Sequence, residues 1–146
     1  MKKIFLLLTF ISLGILSSCS SDDGGSGGGS GDSMKMKING TQKSFTSVDV
    51  DSMVYPDYTD LEVTATIAGS PPTTIEMNLE KDSMEGVYFF QYSDAGVYYE
   101  TTESFSVIIT QNSDNKLKGT FSGTLVDSGN PANTIVITEG SFNITY

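Results

Sequence analysis

The stretch Leu61-Glu62-Val63-Thr64-Ala65-Thr66-Ile67 is interrupted by Gly69-Ser70-Pro71-Pro72 and resumes as Ile75-Glu76-Met77-Asn78-Leu79-Glu80. Apolar and polar residues alternate on both sides of the break. Successive side chains of an extended chain point to opposite faces, so this pattern is that of two half-buried strands. Two such runs about a Gly/Pro turn predict an antiparallel hairpin with one buried face and one solvated face.

The same alternation recurs outward from this hairpin. Met34, Met36 and Ile38 alternate with Lys35 and Lys37 and lead into Asn39-Gly40. That dipeptide is the strongest short hairpin signal, because its central residues both take positive φ. The return strand is expected from Thr41 past Phe45 towards Val48 and Val50. Residues 51–60 hold Pro56 and several acids and are expected to form an irregular loop. Val87 to Tyr92 is apolar on both sides, with Val87 and Phe89 on one and Tyr88, Phe90 and Tyr92 on the other. Ser93 to Gly96 turns it into Val97-Tyr98-Tyr99. Phe105, Val107 and Ile109 start a strand that is expected to end at Asn112-Ser113-Asp114-Asn115. Leu117, Gly119, Phe121, Gly123 and Leu125 share one face, where glycines predict bulges or close approach of another element. After a loop at 127–133, Ile135 and Ile137 lead through Glu139-Gly140 to Phe142, Ile144 and Tyr146. No segment has helical periodicity. About nine or ten short strands predict an all-β fold, an antiparallel β-sandwich with a small β-barrel as the alternative.

Composition narrows the chemistry. Acidic residues number 18 against 8 basic ones, and the chain has no His. Every basic residue is Lys. Such a charge argues against nucleic acid as a partner, which requires a positive footprint. Without His the usual acid/base group near neutral pH is missing. With a single Cys there is neither an intrachain disulfide nor a thiolate metal site. No cofactor and no enzymatic activity are expected. Gly24-Gly25-Ser26-Gly27-Gly28 fits the G-x-S-x-G pattern of hydrolases, but it lies in low-complexity sequence of a chain without His and carries no chemistry.

The first residues read as an address. Met1-Lys2-Lys3 is basic and Ile4 to Leu16 is apolar apart from Thr9, Ser12 and Gly14. This suits a signal peptide and is short for a membrane span. Leu16-Ser17-Ser18-Cys19 resembles the lipobox of bacterial lipoproteins, in which the Cys is thioether-linked to diacylglycerol. The resemblance implies a leader at 1–18, a lipidated Cys19 and anchoring to the membrane through the lipid. Removing Lys2 and Lys3 with the leader brings the net charge to 6 − 18 = −12. Ser21, Asp22 and Asp23 resemble the export signal of Bacteroidetes surface lipoproteins. They imply the outer membrane and its cell-surface face, with the periplasmic face as the alternative. Residues 19–33 then form the lipidated Cys and a Gly/Ser/Asp tether of about 20 Å r.m.s. reach. Residues 34–146 form one β domain.

Several strand motifs carry a likeness as well. Ile38-Asn39-Gly40, Gly86-Val87-Tyr88, Lys118-Gly119-Thr120-Phe121-Ser122 and Gly140-Ser141-Phe142 resemble those of small Bacteroidetes lipoproteins of uncharacterised function, the DUF6252-like group. Val87 stands where that group has Thr. The resemblance implies a sandwich-like β fold and supplies no catalytic residues.

Candidate sites follow from residue types. Tyr88, Tyr92, Tyr98 and Tyr99, with Tyr55 and Tyr58, offer rigid apolar faces with polar tips suited to a glycan or protein partner; core packing is the plain alternative for several of them. Asp32-Ser33-Met34, Asp51-Ser52-Met53 and Asp82-Ser83-Met84 resemble a Bacteroidetes O-glycosylation pattern, which marks Ser33, Ser52 and Ser83 as possible acceptors. Asp49, Asp51, Asp57 and Asp60 have ligand chemistry for Ca²⁺ without EF-hand spacing and are expected as a solvated acidic loop. Glu100 and Glu103 invite a paired-carboxylate reading that sequence spacing does not support. The expected function is a membrane-anchored, surface-exposed binding or envelope-interaction module; the alternative is a barrel-like carrier of a small apolar ligand.

Overall fold

The structure, a computed structural model, describes residues 31–146. The leader, Cys19, Ser21, Asp22, Asp23 and the tether up to residue 30 lie outside the described residues.

Alternation becomes a wall. The strands are β1 (Ser33–Ile38), β2 (Thr41–Phe45), β3 (Ser47–Val54), β4 (Thr59–Ile67) and β5 (Thr73–Glu80). They continue as β6 (Phe89–Asp94), β7 (Val97–Thr101), β8 (Ser106–Ser113), β9 (Lys116–Asp127) and β10 (Asn130–Thr145). They pair antiparallel in one sheet ordered β2-β1-β10-β9-β7-β6-β5-β4-β3, with β8 also on β9. The expected all-β, antiparallel fold is met, and the sheet curls into a nearly closed barrel. Closure comes at Thr46: β2 pairs with β1, β3 pairs with β4, and the Thr46 N–H donates to the Thr66 carbonyl at 3.0 Å where they join.

The hairpin that opened the sequence reading forms as expected. Leu61, Val63, Ala65, Ile75, Met77 and Leu79 are fully buried, and Val63 faces Met77 across β4 and β5. Each such Leu, Val or Met contributes about 1.5–3 kcal/mol on leaving water. Tight turns match the right-handed twist of their strands: Asn39-Gly40 (φ 47° and 85°), Ala95-Gly96 (52° and 80°) and Asp114-Asn115 (55° and 56°) all place both central residues in the left-handed region. The glycines of β9 admit close neighbours. A Cβ on Gly119 would collide with the Ile108 carbonyl and the Phe142 ring, and one on Gly123 with the backbone of Ser104 and Phe105.

Four expectations are corrected. Residues 51–54 belong to β3, so the loop shrinks to Tyr55–Tyr58; Asp49 and Asp51 lie on the outer face opposite Thr64 and Glu62, and such a strand has the composition of a loop. The segment expected to begin at Val87 becomes a strand only at Phe89, with Gly86 at φ 107° before it. Asn112 and Ser113 complete β8, and the turn is Asp114-Asn115 alone. The loop at 127–133 contracts to a short turn followed by a bulge between Asn130 and Thr134, after which β10 continues past a second bulge at Glu139 (φ 52°).

One rim of the barrel carries Tyr55–Tyr58, Lys81, Asp82, Asp114-Asn115 and Tyr146. The chain enters beside it, where Asp32 Oδ1 accepts from the Thr145 N–H at 2.8 Å. The far rim carries Asn39-Gly40, residues 68–72, Ala95-Gly96 and Ser128-Gly129. Inside the far rim Asp94 joins Tyr92, Thr73 and Lys43, plugging that end with polar groups.

Candidate functional site

Among the described residues, the rim near the chain entry holds three clefts. β6 and β7 stop short of it, and residues 81–88 fill the gap between β5 and β8. Asn112, only 4% exposed, fixes this segment from β8: its amide donates to the Glu80 and Ser83 carbonyls at 2.9 and 2.8 Å, and its oxygen accepts from the Tyr146 hydroxyl at 2.9 Å. Three adjoining clefts surround the segment. One of about 360 Å³ runs between Tyr55–Thr59 and Glu80–Asp82. One of about 190 Å³ is bounded by Glu80, Ser83 and Glu85–Tyr88. The third, of about 300 Å³, lies between Glu85–Phe90 and Thr101, Thr102 and Phe105–Val107.

Aromatic residues edge the first two. Tyr55 and Tyr58 stack with centroids 4.7 Å apart and planes at 20°, both remaining 40–45% exposed. Tyr88 is 62% exposed, and its hydroxyl lies beside Asp60 and Asn78. Burial of that hydroxyl, together with the Asp60 carboxylate it faces, pushes the Tyr88 phenol up to about 12. Asp60 itself sits on the outer face of β4 but is only 9% exposed, opposite Glu80 and bonded to the Tyr88 hydroxyl.

The four tyrosines first expected as a surface are not brought together. Tyr92 points inward and is 1% exposed, because it alternates with Gln91 and Ser93 on β6. Burial and its hydrogen bond to Asp94 hold its phenol far above the usual range. Tyr99 is half-buried and tilts against Tyr92 at 5.9 Å. Tyr98 is exposed but lies near the far rim, opposite Ser93. Only Tyr88 joins the site, with Tyr55 and Tyr58.

The remaining candidates are dispersed. Ser33 and Ser52 are exposed on β1 and β3, whereas Ser83 is half-buried and accepts from the Glu85 N–H at 3.2 Å. Asp49, Asp51, Asp57 and Asp60 spread along the β3–β4 hairpin, and among the described residues no group of three or more acids, Cys or His has metal-site geometry. Glu100 and Glu103 are exposed and line none of the three clefts. Asp60 was expected only as one acid of a solvated loop and Asn112 only as part of a turn, whereas both are buried. The available signal for Asp60 was an acid at an outward position flanked by Tyr58 on the same hairpin; for Asn112 no signal existed, since Asn before Asp-Asn reads as a turn.

Charge divides the outer surface. Asp49, Asp51, Asp60, Glu62, Glu76, Glu80 and Glu100 face outward on β3 to β7, where no lysine occurs on any strand. Lys35, Lys37, Lys116 and Lys118 face outward on β1 and β9, Lys37 pairing with Glu139 at 2.7 Å.

Fold and site together define a small antiparallel β-barrel with an open aromatic and acidic cleft at one rim. No protein-family model matches the chain, and no curated protein matches it.

Proposed function

We propose that the protein is a lipid-anchored binding module of the outer membrane, displayed at the cell surface, that holds a glycan or protein partner without catalysis. Cys19 carries the acyl chains, and Ser21, Asp22 and Asp23 direct export, in keeping with the likeness to small Bacteroidetes lipoproteins. One observation supports the binding role above all. Tyr55, Tyr58 and Tyr88 stand solvent-exposed around connected clefts, where aromatic faces and a few convergent polar groups are the usual makings of a recognition site. The barrel interior speaks against a carrier of apolar ligands, since Met34, Met36, Tyr92, Leu117, Ile137 and Ile144 fill it with less than 2% exposure each.

The test uses the full chain expressed in a Gram-negative host fed labelled palmitate. Wild type takes up the label and is shaved from intact cells by added protease, whereas Cys19→Ala stays unlabelled. Label on the Cys19→Ala chain would overturn the anchor, and protection of the wild-type domain on intact cells would overturn surface display. Binding is read by retention of envelope glycan or protein fractions, which Tyr58→Ala should reduce; equal retention by wild type and variant removes the aromatic cleft from the reading.

A further inference from the structure

The end of the β3–β4 hairpin departs from the other turns of the barrel. Asn39-Gly40, Ala95-Gly96, Asp114-Asn115 and Ser128-Gly129 close their hairpins with small or polar residues, as turns that meet water do. Residues 51–58 are also exposed throughout, yet here Met53 (46% exposed), Val54 (81%), Tyr55 (40%) and Tyr58 (45%) stand at the tip. The tip is held in shape, since the Tyr55 N–H donates to the Tyr58 carbonyl at 2.9 Å and the two rings stack. Met84, 54% exposed in the segment 81–88, adds a second apolar projection on the same rim. With Tyr88, six of the ten large hydrophobic side chains exposed among the described residues gather at this one end, so the exposure is sided. Apolar surface gathered in this way marks a contact face.

The path of the chain says what covers it. Asp32 is bonded to the Thr145 N–H at this rim, and β1 leaves from Ser33 towards Asn39-Gly40 at the other end. The residues before 31, Cys19 among them, therefore join the barrel beside the apolar tip. A chain entering at the far rim would hold the tip a barrel's length away from the lipid on Cys19. Entering here, on a Gly/Ser stretch of about 20 Å r.m.s. reach, it sets the tip against that lipid. Tethering at such a distance gives an effective concentration in the millimolar range, so a contact too weak to hold a free domain is well populated. Val and Met side chains suit the boundary between headgroups and acyl chains, and Tyr places its ring there with its hydroxyl in water. Asp51, Asp57 and Asp82 flank the apolar residues, so anionic headgroups are repelled and zwitterionic ones are not. The same acids oppose a second copy, because a two-fold pairing of this rim would bring them face to face.

Building on the lipid-anchor reading, we infer that this rim docks on a zwitterionic lipid surface, with Met53, Val54 and Met84 in the headgroup layer and Tyr55 at its edge. The clefts beside Tyr58 and Tyr88 then open along the lipid, where their partner is met.

The test places the full lipidated chain in phosphatidylcholine vesicles, with a nitroxide on the new thiol of Val54→Cys, Met84→Cys or Val136→Cys. Cys19, its sulfur held in the thioether, takes no label. Val136 is the control, 46% exposed on β10 and bonded through its carbonyl to the Asn39 N–H near the far rim. The reference is each labelled chain with Cys19→Ala, expressed without the leader and kept in buffer. Collision with a neutral nickel chelate should fall about fivefold or more at positions 54 and 84 on vesicles and stay unchanged at 136. Val54→Asp should return the position-84 label to its value in buffer. Replacing about a third of the lipid by phosphatidylglycerol should reopen both positions to nickel, and deeper shielding there would overturn the zwitterionic surface. Labels at 54 and 84 as open as the one at 136, on chains that float with the vesicles, overturn the docking and leave the anchor intact. Chains that do not float overturn the anchor and the inference with it. Shielding that appears in buffer and grows with protein concentration assigns the rim to a second copy and overturns the lipid.

Discussion

At Asp94 a single carboxylate ties three strands together inside the far rim. Its Oδ1 accepts from the Thr73 hydroxyl at 2.8 Å, and its Oδ2 accepts from the Tyr92 hydroxyl at 2.9 Å and Lys43 Nζ at 3.1 Å. Partial burial alone would push its pKa up, but the three donors and the charge of Lys43 outweigh it and hold the carboxyl below its usual range. A folded-state pKa below the unfolded value means stability that is complete above about pH 5 and is lost as pH falls below about 4 and through the folded value. Asp94 is 39% exposed at its side chain, so solvent screening keeps the effect modest. Other acids share the acid limb, so the informative quantity is a difference. Urea unfolding of Asp94→Asn and wild type between about pH 3 and 6 should show a stability gap that narrows towards the acid end. A gap constant with pH would remove the linkage. This residue also marks a limit of reading by alternation. Phe90, Tyr92 and Asp94 share the inward parity of β6, which places Tyr92 correctly once the strand is known. The sequence offered tyrosines of equal weight at 88, 92, 98 and 99, and only the inward packing of β6 and β7 decides which of them meets solvent.

Elements were legible where turn chemistry and period agreed. Asn39-Gly40 has the residue types a type I′ turn demands and forms one, and β4 and β5 pair in the register their alternation requires. Reading failed where composition and period disagreed. β3 carries Asp49, Asp51 and Ser52 on an edge strand, and acids there resemble a loop while also discouraging edge-to-edge pairing. The segment 81–88 was harder still, because its place is set by β8 rather than by its own residues. Asn112 makes that tie with both amide hydrogens and its carbonyl satisfied in a site 4% exposed. Asn112→Ala takes a donor from the Glu80 and Ser83 carbonyls and the acceptor from the Tyr146 hydroxyl, although Glu80 keeps the Ser83 N–H at 3.3 Å, and should cost about 1–3 kcal/mol. Asn112→Asp keeps the acceptor for Tyr146 but presents carboxylate oxygen to both carbonyls, and it should be at least as damaging. Amide exchange in 81–88 gives the distinguishing observation. Exchange accelerated there beyond the global loss of stability supports the tie, and protection unchanged relative to the rest of the barrel refutes it.

Across the whole molecule the two charged walls act on stability together. The chain carries 18 acids against 8 lysines, and those facing outward on β3 to β7 have no lysine interleaved among them. Asp51 faces Glu62 and Asp60 faces Glu80 directly across strand pairs, at spacings of about 5 Å. Those distances lie inside a Debye length of about 8 Å at physiological salt and far inside about 30 Å at 0.01 M. No lysine lies on β3 to β7 to offset repulsion within the acidic wall. Sodium chloride should therefore raise the urea midpoint from about 0.01 M upward, with most of the gain reached by about 0.2 M as the repulsion is screened. Chloride rather than sulfate is required, because sulfate strengthens apolar burial by itself. Glu62→Lys puts a cation opposite Asp51 in the middle of the wall. It should stabilise the barrel by about 0.2–1 kcal/mol at low salt and flatten the salt response. Lys35→Gln, a charge change on the opposite wall beside Ser44 and Ser141, should leave that response close to wild type. A Glu62→Lys protein with no gain at low salt and an unaltered salt slope would show that the acids are too well solvated to repel, and the midpoint would then reflect core packing alone.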